Sequence, residues 1–169
     1  AVCEARAALE DIGMFGEVSL IMAGGIRHGV DAAKAIALGA DAVYVGTAGL
    51  IALGCNSPNY IEDYEKIGTA PGRCHHCHTG QCPVGITTQI PEFMERLSVK
   101  EGAERVANFF RAMTSEIQIL ARACGKSNIH HLEPEDLRAL TPEASFVTGI
   151  PLAGTNRVWG GGPGWGEKH

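Results

Sequence analysis

The residues with the clearest chemical potential are cysteines. The chain carries six, and four of them lie in one segment, at Cys55, Cys74, Cys77 and Cys82. Clustered thiolates bind soft metals, either zinc or the irons of an iron–sulfur cluster. Paired zinc knuckles usually repeat a Cys-x2-Cys unit, whereas the gaps here are unequal and Pro83 follows the last cysteine directly. The spacing therefore favours an iron–sulfur cluster, with zinc or no metal as the alternatives that spacing alone leaves open.

Composition narrows the class of protein. The hydrophobic fraction of 45% supports a buried core, and the formal net charge of −5 argues against a nucleic-acid surface, which needs a basic stripe. No apolar run approaches the roughly 20 residues that cross a bilayer, and the first residues do not form a signal peptide. We therefore predict a cytoplasmic protein with reduced thiols and no membrane partner. Because the chain opens at Ala1 within an amphipathic stretch, we expect further protein to precede it.

The elements that would position the chemistry begin with a strand–helix–strand unit. Apolar runs over residues 18–23 and 41–45 predict buried strands, and the Ala-rich residues 30–38 between them predict a helix. Strands that are apolar throughout indicate a parallel sheet covered on both faces. Each strand ends in glycine, at Gly24-Gly25 and at Gly46-Thr47. Such glycines let backbone N–H groups approach a phosphate, although spacing alone is equally typical of tight turns.

The stretch AGGIRHGVDAAKAIALGADAVYVGTA resembles the strand 7 to strand 8 segment of FMN-dependent barrels, above all the central domain of the glutamate synthase family. The resemblance implies that the FMN phosphate is held by Gly24, Gly25, Gly46 and Thr47, with Arg27 as a weaker candidate. Many of these barrels carry an acid immediately before the glycine pair. Ala23 stands there in this chain, so that contact to the flavin is not expected.

The segment CHTGQCPVGITTQ, from Cys77 to Gln89, resembles the cluster segment of the same family. There three cysteines hold a 3Fe-4S cluster, and they match Cys55, Cys77 and Cys82. This chain departs from the family pattern through a long insertion between the first two, which brings Cys74. We expect Cys74 to be a fourth ligand and the cluster to be 4Fe-4S, with 3Fe-4S as the alternative. The neighbouring histidines, which we expect to solvate the loop or to hydrogen-bond cluster sulfur, are His75, His76 and His78.

The C-terminal half is expected to be helical and free of chemistry. Apolar residues spaced four and three apart over residues 99–124 predict a long amphipathic helix. Glu133 and Pro134 are typical of the start of another helix. We expect Cys3 and Cys124 to be buried as small apolar residues. The glycine-rich end, with Trp159 and Trp165, is expected to form an ordered arm.

Together these features predict an α/β fold, the C-terminal part (strands 7 and 8) of a (β/α)8 TIM barrel with an iron–sulfur loop and C-terminal helices. Residues 1–54 would end the FMN-binding barrel and residues 55–90 would carry the cluster. Residues 91–150 would pack helices on the barrel, and residues 151–169 would be the tail. Two strands cannot close a barrel, so the missing N-terminal part must be joined to this chain, and an oligomer is expected.

The resemblance implies an oxidoreductase that makes glutamate from 2-oxoglutarate and ammonia with FMN and an iron–sulfur cluster. Its partners would be a glutaminase-type subunit that supplies ammonia and an electron donor, either ferredoxin or a reductase subunit. N-methylglutamate synthase, which uses methylamine on the same scaffold, is an alternative. A non-catalytic electron-transfer or structural iron–sulfur subunit is another. The catalytic residues are expected on strands outside this chain.

Overall fold

The computed structural model describes residues 2–160 and has an α/β architecture. In chain order its helices and strands are α1 (Val2–Asp11), β1 (Ile21–Ala23), α2 (Gly29–Ala37), β2 (Ala42–Tyr44), α3 (Thr47–Leu53), α4 (Ile61–Lys66), α5 (Pro91–Met94), α6 (Val99–Ala123) and α7 (Pro142–Thr148). Short 3-10 turns lie at Pro58–Tyr60, Ile129–His131 and Pro134–Asp136. The described residues form two compact units. The sheet unit comprises residues 2–45 and 113–160, and the cysteine unit comprises residues 46–112.

The predicted strand–helix–strand unit is present in the sheet unit. Strands β1 and β2 pair in parallel, with Ile21 opposite Ala42, and α2 connects them. Both strands are three residues long, shorter than the predicted runs. The strand pairing begins only at Ile21 and Ala42, because the residues just before them, Leu20 and Asp41, are joined through the Asp41 side chain as well as the backbone. The Asp41 carboxylate accepts the Leu20 N–H at 2.6 Å, and the Asp41 N–H donates to the Leu20 carbonyl at 2.8 Å.

Helix α2 supplies much of the core of the sheet unit. Its buried residues include Ala32, Ala33, Ala35, Ile36 and Ala37. Small side chains let a neighbouring helix approach closely, and the Gly29 N–H donates to the Glu116 carboxylate of α6 at 2.6 Å. Gly39, with φ of +109°, follows the helix and reverses the chain toward β2.

The strands are more exposed than their apolar sequence predicts. Ile21 is 44% exposed and Tyr44 is 66% exposed. The prediction of a sheet covered on both faces is therefore wrong for the described residues, because the face that carries Ile21 and Tyr44 remains exposed there.

Helix α6 ends one residue before its predicted boundary, and within the sheet unit Met113, Ile117 and Ala121 are buried. Val99, at its other end, is 76% exposed, so the predicted stripe is buried over only part of its length. Cys124 is exposed, contrary to prediction, because the helix has ended and Gly125 (φ +75°) turns the chain there. Cys3 is partly buried. Among the helices of residues 2–160, none is long and apolar enough to cross a membrane.

The prediction of a helix that starts at Glu133 is wrong. The side chains of Glu133 and Asp136 cap each other's backbone around a single 3-10 turn, and Leu137 then has extended backbone angles. The helix forms later, at α7, where the Thr141 hydroxyl caps the first turn and Ser145 is fully buried. The Ser145 hydroxyl accepts a hydrogen bond from the backbone N–H of Trp159 at 2.9 Å, which ties that part of the predicted arm to α7. Trp165 lies outside the described residues.

Candidate metal centre

Cys82 lies in a loop of the cysteine unit that is closed by an isolated antiparallel bridge between Gln81 and Thr88. Buried Thr88 strengthens the closure. Its hydroxyl donates to the Gly80 carbonyl at 2.6 Å and accepts the Ile90 N–H at 3.1 Å. The loop therefore has a fixed conformation before any ligand binds.

Inside this loop, backbone donors surround the Cys82 sulfur. Burial alone raises the pKa of the Cys82 thiol. Hydrogen bonds from backbone N–H groups outweigh burial, so the pKa is lowered; the donors belong to Thr87, Val84 and Ile86. Hydrogen bonds to the charged form of a thiol favour the thiolate, which is the form that binds metal. The loop is thus built to hold a buried negatively charged sulfur.

The Thr87 hydroxyl adds to this environment. It also lowers the pKa of Cys82, yet within residues 2–160 it is a buried oxygen that makes no hydrogen bond of ordinary geometry. A buried polar atom of this kind usually has a partner. Its position beside the sulfur is consistent with a group bound to Cys82 as that partner.

The other three cysteines of the segment lie near Cys82. Cys55 is partly buried and follows Gly54, the residue that caps the end of α3. Burial raises the pKa of the Cys55 thiol, and negative charges on Cys77, Cys82 and Cys74 raise it further. Such an effect requires the other three sulfurs to lie within electrostatic range of Cys55. Because these three thiols oppose the ionisation of Cys55, a cationic group among them is needed before all four can ionise together.

The cysteines lie near one another without forming a closed set of ligands. Within the described residues, no group of three or more His, Cys, Asp or Glu side chains is placed to hold one metal ion. The histidines do not join the cysteines in such a group. His75 and His76 stack on each other, with ring centroids 4.9 Å apart.

Tyr64 of α4 packs beside Cys82. Its side chain is 1% exposed, and it forms a core with Cys82 and Val84 against which Cys74 packs. Burial, followed by the nearby cysteine charges, raises the pKa of Tyr64 to about 12. The hydroxyl therefore keeps its proton near neutral pH, and it donates to the Cys55 carbonyl.

Arg96 joins two parts of the cysteine unit. Its guanidinium lies 2.8 Å from the Asp63 carboxylate of α4 and also donates to the Pro83 carbonyl at 2.8 Å. It lies over the rings of Phe93 and Tyr60, at 4.0 and 4.6 Å from their centroids. The residue after Cys82 is thereby tied to the helix that carries Tyr64.

The predicted phosphate-binding residues of the sheet unit follow β1. Gly24 and Gly25 have φ of +100° and +71°, and a Cβ atom built on either would meet no described atom within 4 Å. Arg27 is held through its backbone, whose N–H donates to the Asp31 carboxylate at 3.0 Å. The glycine pair thus presents open backbone at the carboxyl end of a parallel strand, where ligands of α/β sheets commonly bind.

The other two predicted phosphate residues belong to the cysteine unit. Gly46 is the residue before α3, and Thr47 is the first residue of that helix. A Cβ atom at Gly46 would also meet nothing within 4 Å among the described atoms. The first N–H groups of a helix have no partner within it, so this backbone can donate to a ligand.

Sequence reasoning missed Tyr64, Thr87 and Arg96. Tyr64 and Arg96 act through contacts with residues farther away in the chain, which no local pattern encodes, whereas Thr87 acts on nearby Cys82 within the same loop. The run of small and β-branched residues after Cys82 was the available signal for the N–H donors, since a tight loop with a glycine turns several N–H groups inward. A cavity of about 640 Å³ in the sheet unit is lined by none of the predicted site residues.

Comparison with known proteins relates this chain to one enzyme family. A family model described as "Conserved region in glutamate synthase" matches residues 1–127. The chain is 54% identical over 149 residues to the glutamate synthase large subunit-like protein of Rhizobium meliloti (strain 1021), which covers 88% of this chain and 34% of the relative. It is 42% identical over 150 residues to the archaeal glutamate synthase (NADPH) of Methanocaldococcus jannaschii, covering 86% of this chain and 26% of the relative.

A third relative is the archaeal-type glutamate synthase (NADPH) of Thermotoga maritima, 41% identical over 124 residues that make up 73% of this chain and 21% of the relative. The chain thus spans about a third or less of the length of the curated relatives that it matches. The family match and these identities extend across both the glycine loops and the four cysteines, and they show that the chain belongs to the glutamate synthase family.

Proposed function

We propose that this chain forms the iron–sulfur segment and part of the FMN site of an enzyme that makes glutamate from 2-oxoglutarate and ammonia. The observation that carries the proposal is that Cys55, Cys74 and Cys82 meet around one buried side chain, Tyr64, in a unit whose backbone lowers the pKa of Cys82. Such an environment stabilises thiolates, and several thiolates together bind an iron–sulfur cluster.

The cluster ligands would be Cys55, Cys74, Cys77 and Cys82, and four ligands correspond to a 4Fe-4S cluster. A 3Fe-4S cluster on Cys55, Cys77 and Cys82 is the alternative if Cys74 does not bind. Cys82 is buried and Cys77 is exposed, so the cluster would lie between the core of the cysteine unit and its surface. An edge near the surface suits electron entry from a partner protein.

The FMN phosphate would be held by Gly24 and Gly25, with Arg27 close in sequence. Gly46 and Thr47 are proposed for the same role because they match the family segment. The absence of a Cβ leaves the backbone N–H groups of the glycines open to phosphate oxygens. When bound, FMN supplies hydride transfer, and an iron–sulfur cluster supplies electrons singly, a pairing that suits reduction of an imine carbon.

The exposed side chains of β1 and β2 support a larger sheet in the whole protein. A relative that is about three times as long as the matched segment has enough further residues to form the rest of such a sheet. We propose that the whole is a (β/α)8 barrel, with the residues that bind the oxo-acid on its other strands. A glutaminase-type partner would supply ammonia. Two of the relatives are named for NADPH, so an NADPH-linked reductase is proposed as the electron donor beside ferredoxin.

The test uses the intact protein in which this chain occurs, purified without oxygen. It is supplied with 2-oxoglutarate, a chemical reductant, and either ¹⁵N-ammonium or methylamine, and the products are identified by mass spectrometry. Cys82→Ser is the test variant. Cys124→Ser is the matched control, because Cys124 is exposed in the other unit and is not one of the four cysteines.

We expect ¹⁵N-glutamate from the wild type and an unchanged rate in Cys124→Ser. The loss in Cys82→Ser should exceed the roughly 10–100-fold that is typical of removing a group that only orients a metal ligand. N-methylglutamate formed in preference would identify the methylamine enzyme instead. If neither product forms while the protein still accepts and releases electrons, the chain belongs to an electron-transfer subunit and the proposal is wrong.

A further inference from the structure

We propose that Tyr64 is a positioning residue for the iron–sulfur site, which holds Cys55 at the correct place relative to the other cysteines. The inference rests on the proposed function, since it assumes a cluster on these four residues. Tyr64 lies in the insertion between Cys55 and Cys77, a segment to which the family resemblance assigns no role.

The position of Tyr64 is central to the site. It is 1% exposed, and its ring belongs to the core formed with Cys82 and Val84. Cys74 packs against the same core. One aromatic ring therefore neighbours two of the proposed ligands and excludes water from the space beside them.

The hydroxyl reaches a third ligand. It donates a hydrogen bond to the Cys55 carbonyl. The N–H of Cys55 is bound as well, to the Leu50 carbonyl at the end of α3, at 2.9 Å. Both peptide groups of Cys55 are thus held, one by its own helix and one by Tyr64, so the backbone from which the thiol projects is fixed.

Tyr64 can hold Cys55 in place because its own helix, α4, is bound to the loop that carries Cys82. Asp63, its neighbour in α4, binds Arg96 at 2.8 Å, and Arg96 donates to the Pro83 carbonyl at 2.8 Å. The path from Cys55 through Tyr64 and Arg96 to the Pro83–Val84 peptide, next to Cys82, consists of hydrogen bonds and one helix. It sets the separation of Cys55 and Cys82 before the metal arrives.

The expected consequence follows from the way that outer groups orient metal ligands. Removing such a partner typically weakens metal binding by about 10–100-fold. Tyr64→Phe removes the hydroxyl and keeps the ring, so the core remains filled while the Cys55 carbonyl loses its donor. A cluster should still assemble, with a ligand that is less firmly held.

The matched control is Tyr60→Phe. Tyr60 packs against the same core and lies over Arg96, but it is not the donor to Cys55. Both variants lose one phenol hydroxyl from the cysteine unit. Replacement of Tyr64 by 3-fluorotyrosine keeps the donor and should restore wild-type behaviour.

The experiment is done anaerobically on the intact protein. Iron release to a chelator, the electron paramagnetic resonance spectrum of the cluster, its reduction potential, flavin content and melting temperature are measured. We expect iron release about tenfold faster in Tyr64→Phe, with an altered spectrum and potential, unchanged flavin content, and wild-type values for Tyr60→Phe and the fluorotyrosine protein.

Two failures are distinguishable. If the wild type holds a cluster and Tyr64→Phe matches it in release rate, spectrum and potential, the role of Tyr64 is refuted and the proposed function stands. If the purified wild type holds neither iron nor inorganic sulfide, the proposed function fails, and the role of Tyr64 fails with it.

Discussion

The Arg96 guanidinium donates a 2.8 Å hydrogen bond to the carbonyl of Pro83, the residue that directly follows Cys82. Pro83 is fully buried, so its carbonyl has no solvent to replace a lost donor. The same guanidinium lies over Phe93 and Tyr60. One side chain thus joins the cysteine loop to the helices on either side of it.

Substituting Arg96 by Ala should destabilise the cysteine unit. An acceptor left buried without a partner costs about 1–3 kcal/mol of unfolding free energy, and the stacking on two rings is lost in addition. Lys66→Ala is the control, because Lys66 binds the same Asp63 with a side chain that is 69% exposed. Denaturant titration of the intact protein should show a clear loss for Arg96→Ala and little change for Lys66→Ala. Equal effects of the two substitutions would contradict this account.

Gly29 should tolerate no side chain. A Cβ atom there would lie 2.5 Å from the Met113 carbonyl oxygen and 2.5 Å from the Glu116 Cβ, so α2 and α6 would have to separate. We expect Gly29→Ala to lower the unfolding free energy by about 1–3 kcal/mol, although alanine is the better helix former.

Gly49→Ala is the control for this substitution. It is also helical, and its Cβ would approach no described atom closer than a Phe110 ring carbon at 4.0 Å. Here the gain in helix propensity, up to about 1 kcal/mol, should dominate. Denaturation of both variants by urea measures the two effects. If Gly29→Ala is as stable as Gly49→Ala, then α2 and α6 do not pack as closely at Gly29 as the structure shows.

Gly25 should matter for FMN more than for stability. A Cβ at Gly25 meets no described atom within 4 Å, so it would occupy the space proposed for phosphate. Gly13 offers a close match, with φ of +69° against +71° and equally open surroundings. Alanine at either position suffers similar backbone strain, about 1–2 kcal/mol.

We therefore expect Gly25→Ala and Gly13→Ala to have similar melting temperatures and different affinities for FMN. The flavin is removed from the intact protein, and rebinding is followed by fluorescence. Gly25→Ala should bind FMN at least about tenfold more weakly, since the phosphate loses backbone donors. A dissociation constant for Gly25→Ala equal to that of Gly13→Ala would remove Gly25 from the proposed site.

Cys74 decides the type of cluster. If it is a ligand, Cys74→Ser should convert a 4Fe-4S cluster into a three-iron form, because one iron loses its thiolate. The oxidised variant would then give the electron paramagnetic resonance signal of a three-iron cluster, absent from the anaerobic wild type. Cys124→Ser should behave as the wild type. A three-iron signal already present in the fresh wild type would show that Cys74 is not a ligand.

The sequence predicted those parts of the fold that depend on local pattern. Apolar runs ending in glycine gave the parallel pairing of β1 and β2, and the regular stripe gave α6 to within one residue. The predicted strands were too long because Asp41 captures the Leu20 backbone, a contact between residues distant in sequence. The false helix at Glu133 arose because a capping box can close a single turn as well as begin a helix.

The candidate site was predictable in its ligands and not in its surroundings. Cysteine spacing and the family resemblance selected four residues, and in the structure the other three raise the pKa of Cys55. The donors around Cys82 and the burial of Tyr64 depend on how the insertion folds back over the loop. Neither an apolar period nor a motif reports such a contact, so only the structure could supply it.

The measurement that tests the central claim most directly is a count of iron and acid-labile sulfide in the intact protein, purified anaerobically, with zinc measured in the same sample. The account predicts about four irons and four sulfides for each copy of this chain, together with bound FMN. Zinc without sulfide would contradict it, because the cysteines around the Cys82 loop would then serve a structural metal site.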